Sequence, residues 1–280
     1  MTKTNQQKVK DFLINNGVII VMFILVIYTG FTSDNFFTRN NFMNILMNMS
    51  SRLVIALGIA GCVITAGCDL SAGRMIGFGA CISGMLLQRM DYSGKFFPDM
   101  QPLNVFVVAL IAMLVCAAFG TVTGFFIAYL NVPPFIATLA MMEIVYGIGL
   151  IVTNATPLGG YVEQYTNVSN GKFLGINYLI WIAIIVAAIT WFIFNMTRHG
   201  KYMYAIGGNP QAAEVAGVPV KATLILIYMK AAAMYGLAGF MLGAKAGGAS
   251  VQTGYGYEME AIAACTIGGV SVTGGRGKAV

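Results

Sequence analysis

The sequence has few charged residues and almost no histidine. Charged residues make up 9% of the chain, and there is one histidine. Soluble globular domains carry about 25% charged residues, so water is not the main solvent of this chain. His199 stands beside Arg198 with no nucleophile or base near it, so we identify no catalytic residue. The five cysteines lie in or beside apolar runs without metal-ligand spacing, so no metal site is expected.

Long apolar runs fill most of the chain. Because the polar stretches are only loop-sized, we expect a single transmembrane domain over residues 1–280. A helix needs about 20 mostly apolar residues to cross a bilayer. Seven stretches qualify: Phe12 to Phe31, Ile45 to Ala66, Gly73 to Met90, Leu103 to Leu130, Pro133 to Thr153, Ile176 to Met196 and Ala222 to Ala246. With the shorter stretch Ala261 to Val272, they predict an all-α polytopic bundle of about seven spans and a partial eighth.

Lysines and arginines predict the orientation of the chain. Cytoplasmic loops hold the excess of these residues, so the basic N-terminus is expected inside, and Asp34 and Arg39 outside. The connection over residues 197–221 then also faces the cytoplasm, and its basic residues agree with that side. The orientation rests on six basic residues: Lys3, Lys8, Lys10, Arg198, Lys201 and Lys221. Basic residues form no stripe of the kind that binds nucleic acid, so no such partner is expected.

Small residues recur at four-residue spacing inside two predicted spans. Gly120 and Gly124 form one pair, and Gly239, Gly243 and Gly247 form a second series. Small residues let membrane helices approach closely, so the pattern predicts helix packing seams.

Few ionisable residues lie well inside predicted spans, where insertion costs about 2.5–3.5 kcal/mol each. Arg52 is near the outer end of the second span, Glu143 near the middle of the fifth, and Lys230 about two turns into the seventh. Glu143 and Lys230 are candidates for a pair across the bundle. Alternatively, Arg52 and Lys230 extend to the membrane interface. Glu143 cannot reach an interface easily, so we expect it to be buried.

A polar turn separates the second and third predicted spans. Asp69 and Ser71 are both favourable N-cap residues for the following helix, which Arg74 enters. Polar backbone at membrane depth either lines a pathway or is buried in protein, so this turn is a candidate pathway element. An ordinary turn at the membrane face is the alternative. Tyr146, Tyr228 and Tyr235 are candidate pathway aromatics, or else members of interfacial belts.

The connection over residues 197–221 contains a second candidate site. Gly207 to Pro210 is a turn signal, after which Gln211 to Ala216 is expected to form a short helix. Gly217 and Pro219 end that helix. Such an element is suited to docking on a cytoplasmic partner, although a capped surface loop has the same pattern.

The last residues of the sequence contain a Gly-Lys pair but no phosphate loop. Val272 stands where a phosphate loop requires glycine, and Ala279 follows Lys278 in place of serine or threonine. No other nucleotide site is visible, so we expect no cofactor.

Several stretches together resemble the sugar permeases of ATP-binding-cassette importers of the ribose and galactose type. Residues 69–74, DLSAGR, resemble the family's G-x-D-L-S-x-G turn, and Ala72 with Arg74 is most similar to the galactoside branch. Further matching stretches are IAYLNVPPFIATL, AIGGNPQAAEVAGVPV and MEAIAACTIGGVSVTGGRG. The resemblance covers nearly the whole chain.

This resemblance implies a permease subunit that imports a hexose, galactose or a methyl-galactoside, across a bacterial inner membrane. It implies three protein partners: a cytoplasmic subunit that binds ATP, an external sugar-binding protein and a second permease copy, all in a lipid bilayer. It assigns ATPase coupling to Gly208, Asn209, Pro210, Ala212, Ala213, Glu214 and Gly217. The candidate pathway residues are Asp69, Ser71, Arg74, Glu143, Tyr146, Tyr228 and Lys230.

Two further expectations qualify this assignment. Members of the family continue past the segment that ends this sequence with further apolar spans, so we expect the chain to be incomplete after Val280. An ion-coupled secondary transporter is the alternative function. Such carriers have broken helices in related halves, and no internal repeat is evident in this sequence.

Overall fold

A computed structural model describes residues 5–33 and 35–277 of the chain. Predictions that concern Lys3, Asp34 and Val280 lie outside these residues. The side chains of Lys8 and Lys10 are also outside the description, so the cytoplasmic N-terminus stays a prediction.

The described residues form eleven helices and one two-stranded antiparallel hairpin. The helices are α1 (Asn5–Thr32), α2 (Arg39–Ile64), α3 (Ala72–Leu86), α4 (Val105–Tyr129), α5 (Pro134–Thr153), α6 (Glu163–Asn170), α7 (Tyr178–Met196), α8 (Arg198–Gly208), α9 (Pro210–Val215), α10 (Val220–Ala246) and α11 (Tyr257–Ile267). The hairpin strands are β1 (Lys172–Phe173) and β2 (Ile176–Asn177). Among the described residues, α2, α4, α5, α7 and α10 are long and apolar enough to cross a membrane.

Four predicted spans coincide with α4, α5, α7 and α10 to within two residues at each end, and α1 encloses the predicted first span. The second span begins earlier than predicted, at Arg39, so Arg52 lies near the middle of α2 and not near its outer end. The third predicted span is wrong in length. α3 ends at Leu86 after 15 residues, which cover about 22 Å, less than the hydrocarbon core. Almost all of α3 is buried in protein, so its apolar composition does not reflect contact with lipid.

The chain divides into two units, Met1–Leu46 and Met47–Val280. In the first unit, the Asn41 side chain donates a hydrogen bond to the carbonyl of Phe36 at 2.8 Å, which closes the turn before α2. The second unit contains the candidate pathway residues and the coupling residues.

Within the second unit, α10 is the central helix, and glycines bring it close to its neighbours. Gly120 and Gly124 of α4 contact the α10 backbone, where a methyl group on Gly124 would lie 2.7 Å from the Ile225 Cα. Gly239 of α10 meets the α3 backbone at Ile76, and Gly243 meets the Tyr165 hydroxyl. These packing seams are confirmed. Gly247 was assigned wrongly: it ends α10 with φ at 65°, and no described atom lies within 4 Å of a methyl group added to it.

Gly239→Ala is expected to destabilise the protein by about 1–3 kcal/mol, because the added methyl group would overlap the Ile76 carbonyl and lie 2.7 Å from the Ala80 amide. Thermal unfolding of the purified protein in detergent measures the change. Gly147→Ala is the matched control in α5, since no atom of the described residues lies within 4 Å of its added methyl group. Equal melting temperatures for the two variants would contradict the close packing of α10 on α3.

Candidate functional site

Two non-helical segments of the second unit adjoin α3, one directly before it in the chain and one packed along its side. The first, residues 65–71, joins α2 to α3, and its Asp69 accepts a hydrogen bond from the Tyr235 hydroxyl at 3.0 Å. Tyr235 lies about 22 Å along α10 from Val220 and about 16 Å from Ala246. Asp69 is therefore close to the midplane of a bundle that spans a membrane, and the ordinary surface turn is the wrong alternative for this segment.

Asp69 is buried, with 2% of its surface exposed, and its two oxygens accept three hydrogen bonds. One oxygen accepts from the Ser71 amide at 3.0 Å and from the Ser71 hydroxyl at 2.6 Å, and the other accepts from Tyr235. Only Asp69 acts as predicted at the start of α3: Ser71 has helical dihedrals and its side chain makes no capping bond. The carboxylate also lies at the N-terminal end of α3, where the helix dipole stabilises negative charge.

Tyr228 and Thr138 enclose the rest of this first segment. The Thr138 hydroxyl donates to the Cys68 carbonyl at 3.2 Å. The Tyr228 ring is buried against Gly67, and among the described residues its hydroxyl has no hydrogen-bond partner. Tyr228 and Tyr235 are thus buried beside the segment, which is inconsistent with an interfacial belt.

The second non-helical segment, residues 247–256, joins α10 to α11 and packs on α3. A methyl group on Gly77 would lie 2.8 Å from the Val251 carbonyl oxygen, so glycine permits this contact. Glu258 in the first turn of α11 is buried, lies beside Gly73 and accepts a hydrogen bond from the Gly256 amide at 3.1 Å. The sequence reasoning missed Glu258, although an acid just before an apolar stretch is a signal for a helix start.

Arg74, in the first turn of α3, contacts the second segment and α5 through an arginine–tyrosine cluster, defined as Arg74, Tyr146, Gln252 and Tyr255. The guanidinium carbon lies 3.9 Å from the Tyr146 ring centroid and 4.2 Å from that of Tyr255. Arg74 donates to the Gln252 side-chain oxygen at 2.7 Å, and Gln252 donates to the Tyr146 hydroxyl at 3.2 Å. Arg74 is 9% exposed, and its Nε has no partner among the described residues.

Arg52 and Glu260 form an ion pair near the middle of α2. Their Nε and Oε2 atoms are 2.7 Å apart, and the Arg52 guanidinium lies 4.9 Å from the Tyr257 ring centroid. Both side chains are about half exposed. Arg52 therefore has an acidic partner from α11, and its extension to an interface stays a prediction.

Glu143 and Lys230 do not pair. Glu143 is exposed on α5, and in the described chain no hydrogen bond or ion pair involves it, so the prediction of a buried role is wrong. Lys230 is half-buried and lines a cavity of about 20 Å³ with Thr190, Phe194 and His199. The pKa of His199 is lowered to about 4, by burial first and by Lys230 second, so its imidazole is neutral at neutral pH.

The polar connection 197–221 folds into α8 and α9. The Asn209 side chain accepts a hydrogen bond from the Ala212 amide at 2.9 Å, which caps the predicted short helix. Gly217 ends it with φ at 82°, and Ala213 is buried beneath it. Gly208, Pro210, Ala212, Glu214 and Gly217 are exposed. Val215, which the sequence reasoning missed, is 91% exposed, an unusual state for an apolar side chain.

Gly207 of α8 packs against the end of α2, directly before the first non-helical segment. The Gly275 amide donates to the Ile64 carbonyl at 2.9 Å, and Gly207 packs directly against both groups. Ile64 is the last residue of α2, and Gly275 follows α11. The α8–α9 connection therefore contacts the rest of the chain at two points. One point, Ile64, directly precedes the first non-helical segment. The other, Gly275, follows α11, which is the helix after the second non-helical segment.

Apolar spans with polar, interrupted segments at bilayer depth define a multi-pass membrane protein of the permease class. The chain belongs to the family described as branched-chain amino acid transport system / permease component, which matches residues 41–276.

Curated relatives are similar to this chain over most of their length. The galactose/methyl galactoside import permease MglC of Escherichia coli (strain K12) is 39% identical over 287 residues, covering 100% of this chain and 85% of the relative. The protein of the same name from Haemophilus influenzae is 40% identical, with the same coverage. The ribose import permease RbsC of Escherichia coli (strain K12) is 32% identical, covering 97% of this chain and 82% of the relative. No solved structure matches the chain.

Proposed function

We propose that this chain is the permease subunit of an ATP-driven importer for a hexose, galactose or a methyl galactoside. Its similarity over its whole length to import permeases named for galactose and methyl galactoside supports this sugar class. The chain works with a cytoplasmic ATP-binding subunit, an external sugar-binding protein and a second permease copy in a bacterial inner membrane. Its N-terminus and the α8–α9 connection face the cytoplasm.

One observation carries the mechanism: α9 is exposed, while the adjoining α8 touches the core of the bundle through Gly207. A partner docked on α9 can push on Ile64 and Gly275, from which the chain leads to both non-helical segments. Rigid helices transmit such displacements. We assign this coupling to Gly208, Asn209, Pro210, Ala212, Ala213, Glu214 and Gly217, and we add Gly207 and Val215.

The pathway is proposed to run along a polar belt on the surface of the second unit. We define the belt as Arg52, Glu143, Tyr146, Gln252, Tyr255 and Glu260. Half-exposed charges at bilayer depth are unfavourable against lipid, so the belt faces water, a second permease copy or both. The belt is supported from the interior of the protein by four buried residues, Asp69, Ser71, Arg74 and Tyr228. Lys230 lies close to α8, beside His199.

Val215→Asp is expected to remove the ATP-binding subunit from the purified complex while the permease itself stays folded. Val215 has almost no contacts to lose within the chain, so the permease stays folded. In the complex, however, the ATP-binding subunit would bury the new carboxylate at position 215 without a partner, which is unfavourable. Co-purification on a tagged permease measures the loss. Glu214→Lys and Gly217→Pro are expected to uncouple ATP hydrolysis from uptake, since both alter the same helix.

Leu174→Asp is the matched control for this experiment. Leu174 is 79% exposed at the tip of the β1–β2 hairpin, outside the α8–α9 connection. We expect this variant to retain the ATP-binding subunit. Equal retention by the two variants would remove the docking role of α9.

Uptake of radiolabelled galactose into proteoliposomes tests the energy source. With the ATP-binding subunit and the sugar-binding protein present, uptake is expected to require ATP and to persist with proton and sodium ionophores. A secondary transporter is the second candidate, because broken helices with the buried acids Asp69 and Glu258 occur at bilayer depth. Uptake that needs no ATP and collapses with an ionophore would establish that candidate instead.

A further inference from the structure

The arginine–tyrosine cluster contains a buried cation without an acid. Among the described residues, Arg74 forms no ion pair, and its charge faces two tyrosine rings and two amide oxygens, those of Val251 and Gln252. Cation–π contacts stabilise a guanidinium most when it is desolvated. Arg74 therefore holds two aromatic rings at defined positions without presenting its own charge on the surface.

The exposed side of the cluster is neutral. Tyr255 is 58% exposed, and Arg74 lies against its ring, 4.2 Å from the ring centroid. The Gln252 amide is exposed beside it, and the Tyr146 hydroxyl is within hydrogen-bond distance of that amide. An aromatic ring, an amide and a phenol are thus adjacent on one surface.

This surface lies at a depth in the bilayer where polar groups are unfavourable in contact with lipid alone. Residues 252–256 are non-helical and pack on the N-terminal half of α3, whose start is near the bilayer midplane. Irregular backbone at that depth is tolerated where it is covered by protein or lines water. The exposed parts of Gln252 and Tyr255 are therefore suited to contact a polar solute.

We propose that Tyr255 is a ring-stacking contact for a neutral hexose, with Gln252 and Tyr146 as hydrogen-bonding neighbours and Arg74 as a positioning residue. The proposal rests on the proposed function and deepens it. A pyranose has an apolar C–H face that matches the open part of an aromatic ring, and hydroxyl groups that match the amide and the phenol. Because Arg74 is buried, the cluster itself presents no exposed cation that would favour a charged sugar.

The test uses Tyr255→Ala, Tyr255→Phe and Tyr255→Trp in the complete reconstituted importer. Tyr255→Ala is expected to lower galactose uptake about tenfold, as expected when about 1.4 kcal/mol of transition-state stabilisation is lost. Its melting temperature is expected to fall slightly, because Arg74 loses one of its two aromatic contacts, so uptake is normalised to the amount of folded protein. Tyr255→Phe keeps the ring and is expected to retain most of the uptake. Wild-type uptake by Tyr255→Ala would overturn the proposal.

Tyr255→Trp gives a binding signal that does not depend on transport. With Trp181 and Trp191 replaced by phenylalanine, galactose is expected to change the emission of the new tryptophan, and galacturonate is not. Arg74→Met should abolish the galactose signal, and Arg74→Lys should restore part of it. No response to galactose, or an equal response to galacturonate, would overturn the proposal.

The two experiments separate this proposal from the proposed function. If wild-type uptake proves independent of ATP, the importer function fails, yet the galactose signal from Tyr255→Trp still supports the hexose contact. If uptake requires ATP and the signal is absent, the importer function stands and the contact at Tyr255 does not.

Discussion

Gly207→Ala is expected to reduce ATP-driven uptake about tenfold and to lower the melting temperature of the permease. The added methyl group would overlap the Ile64 carbonyl and lie 2.5 Å from the Gly275 amide nitrogen. Neither is a flexible side chain, so backbone must move, at a cost of about 1–3 kcal/mol. A change of that size in the free energy that couples two sites corresponds to a factor of about 5–150 in the equilibrium constant. Proteoliposome uptake and thermal unfolding measure the two effects.

Gly208→Ala is the matched control for stability, because within the described part of the chain no atom lies within 4 Å of its added methyl group. Its melting temperature is expected to equal that of the wild type. The comparison is made on stability and not on uptake, since Gly208 itself belongs to the proposed docking segment. A Gly207→Ala variant as stable as Gly208→Ala would contradict the tight contact between α8, Ile64 and Gly275.

Asp69→Ala is expected to destabilise the permease by about 3 kcal/mol or more and to abolish uptake. The change removes the acceptor of three hydrogen bonds in a buried site, and each unsatisfied donor costs about 1–3 kcal/mol. It also removes negative charge from the N-terminal end of α3. Thermal unfolding and the yield of folded protein in the membrane fraction measure the loss.

Asp69→Asn is the informative comparison, since its side-chain oxygen still accepts from Ser71. We expect it to cost about 1 kcal/mol, and Tyr235→Phe to cost about as much by removing a single hydrogen bond. The double variant Asp69→Asn with Tyr235→Phe should be less destabilised than the sum, because the two residues interact directly. Strict additivity would show that the Asp69–Tyr235 bond contributes nothing.

Hydropathy predicted α4, α5, α7 and α10 well because lipid demands an apolar surface along the whole length of a span. The same criterion overestimated α3, since a helix buried in protein is as apolar as one in lipid. It also missed α6 and α8, which are polar helices that do not cross the membrane. Glu143 shows a further limit: composition located it at mid-span, but the rotation of α5 decides whether its side chain faces the protein.

The candidate site was predicted in part. Asp69, Ser71 and Arg74 interrupt an apolar run, so the sequence itself marks them. Their partners Tyr235 and Gln252 lie 166 and 178 residues further along the chain, too far for any local pattern to connect them. Tyr255, Glu258 and Glu260 were missed for the same reason.

The sequence by itself determined that the chain crosses a membrane, where four of its long spans begin and end to within two residues, and which family it resembles. These properties depend on local composition and on short motifs, which act over a few helical turns. Only the tertiary structure decided that the two non-helical segments meet on α3, that Gly207 touches Ile64 and Gly275, and that Arg74 lies between Tyr146 and Tyr255. Such contacts depend on how distant helices pack, because side chains remote in sequence become neighbours only after the bundle has closed.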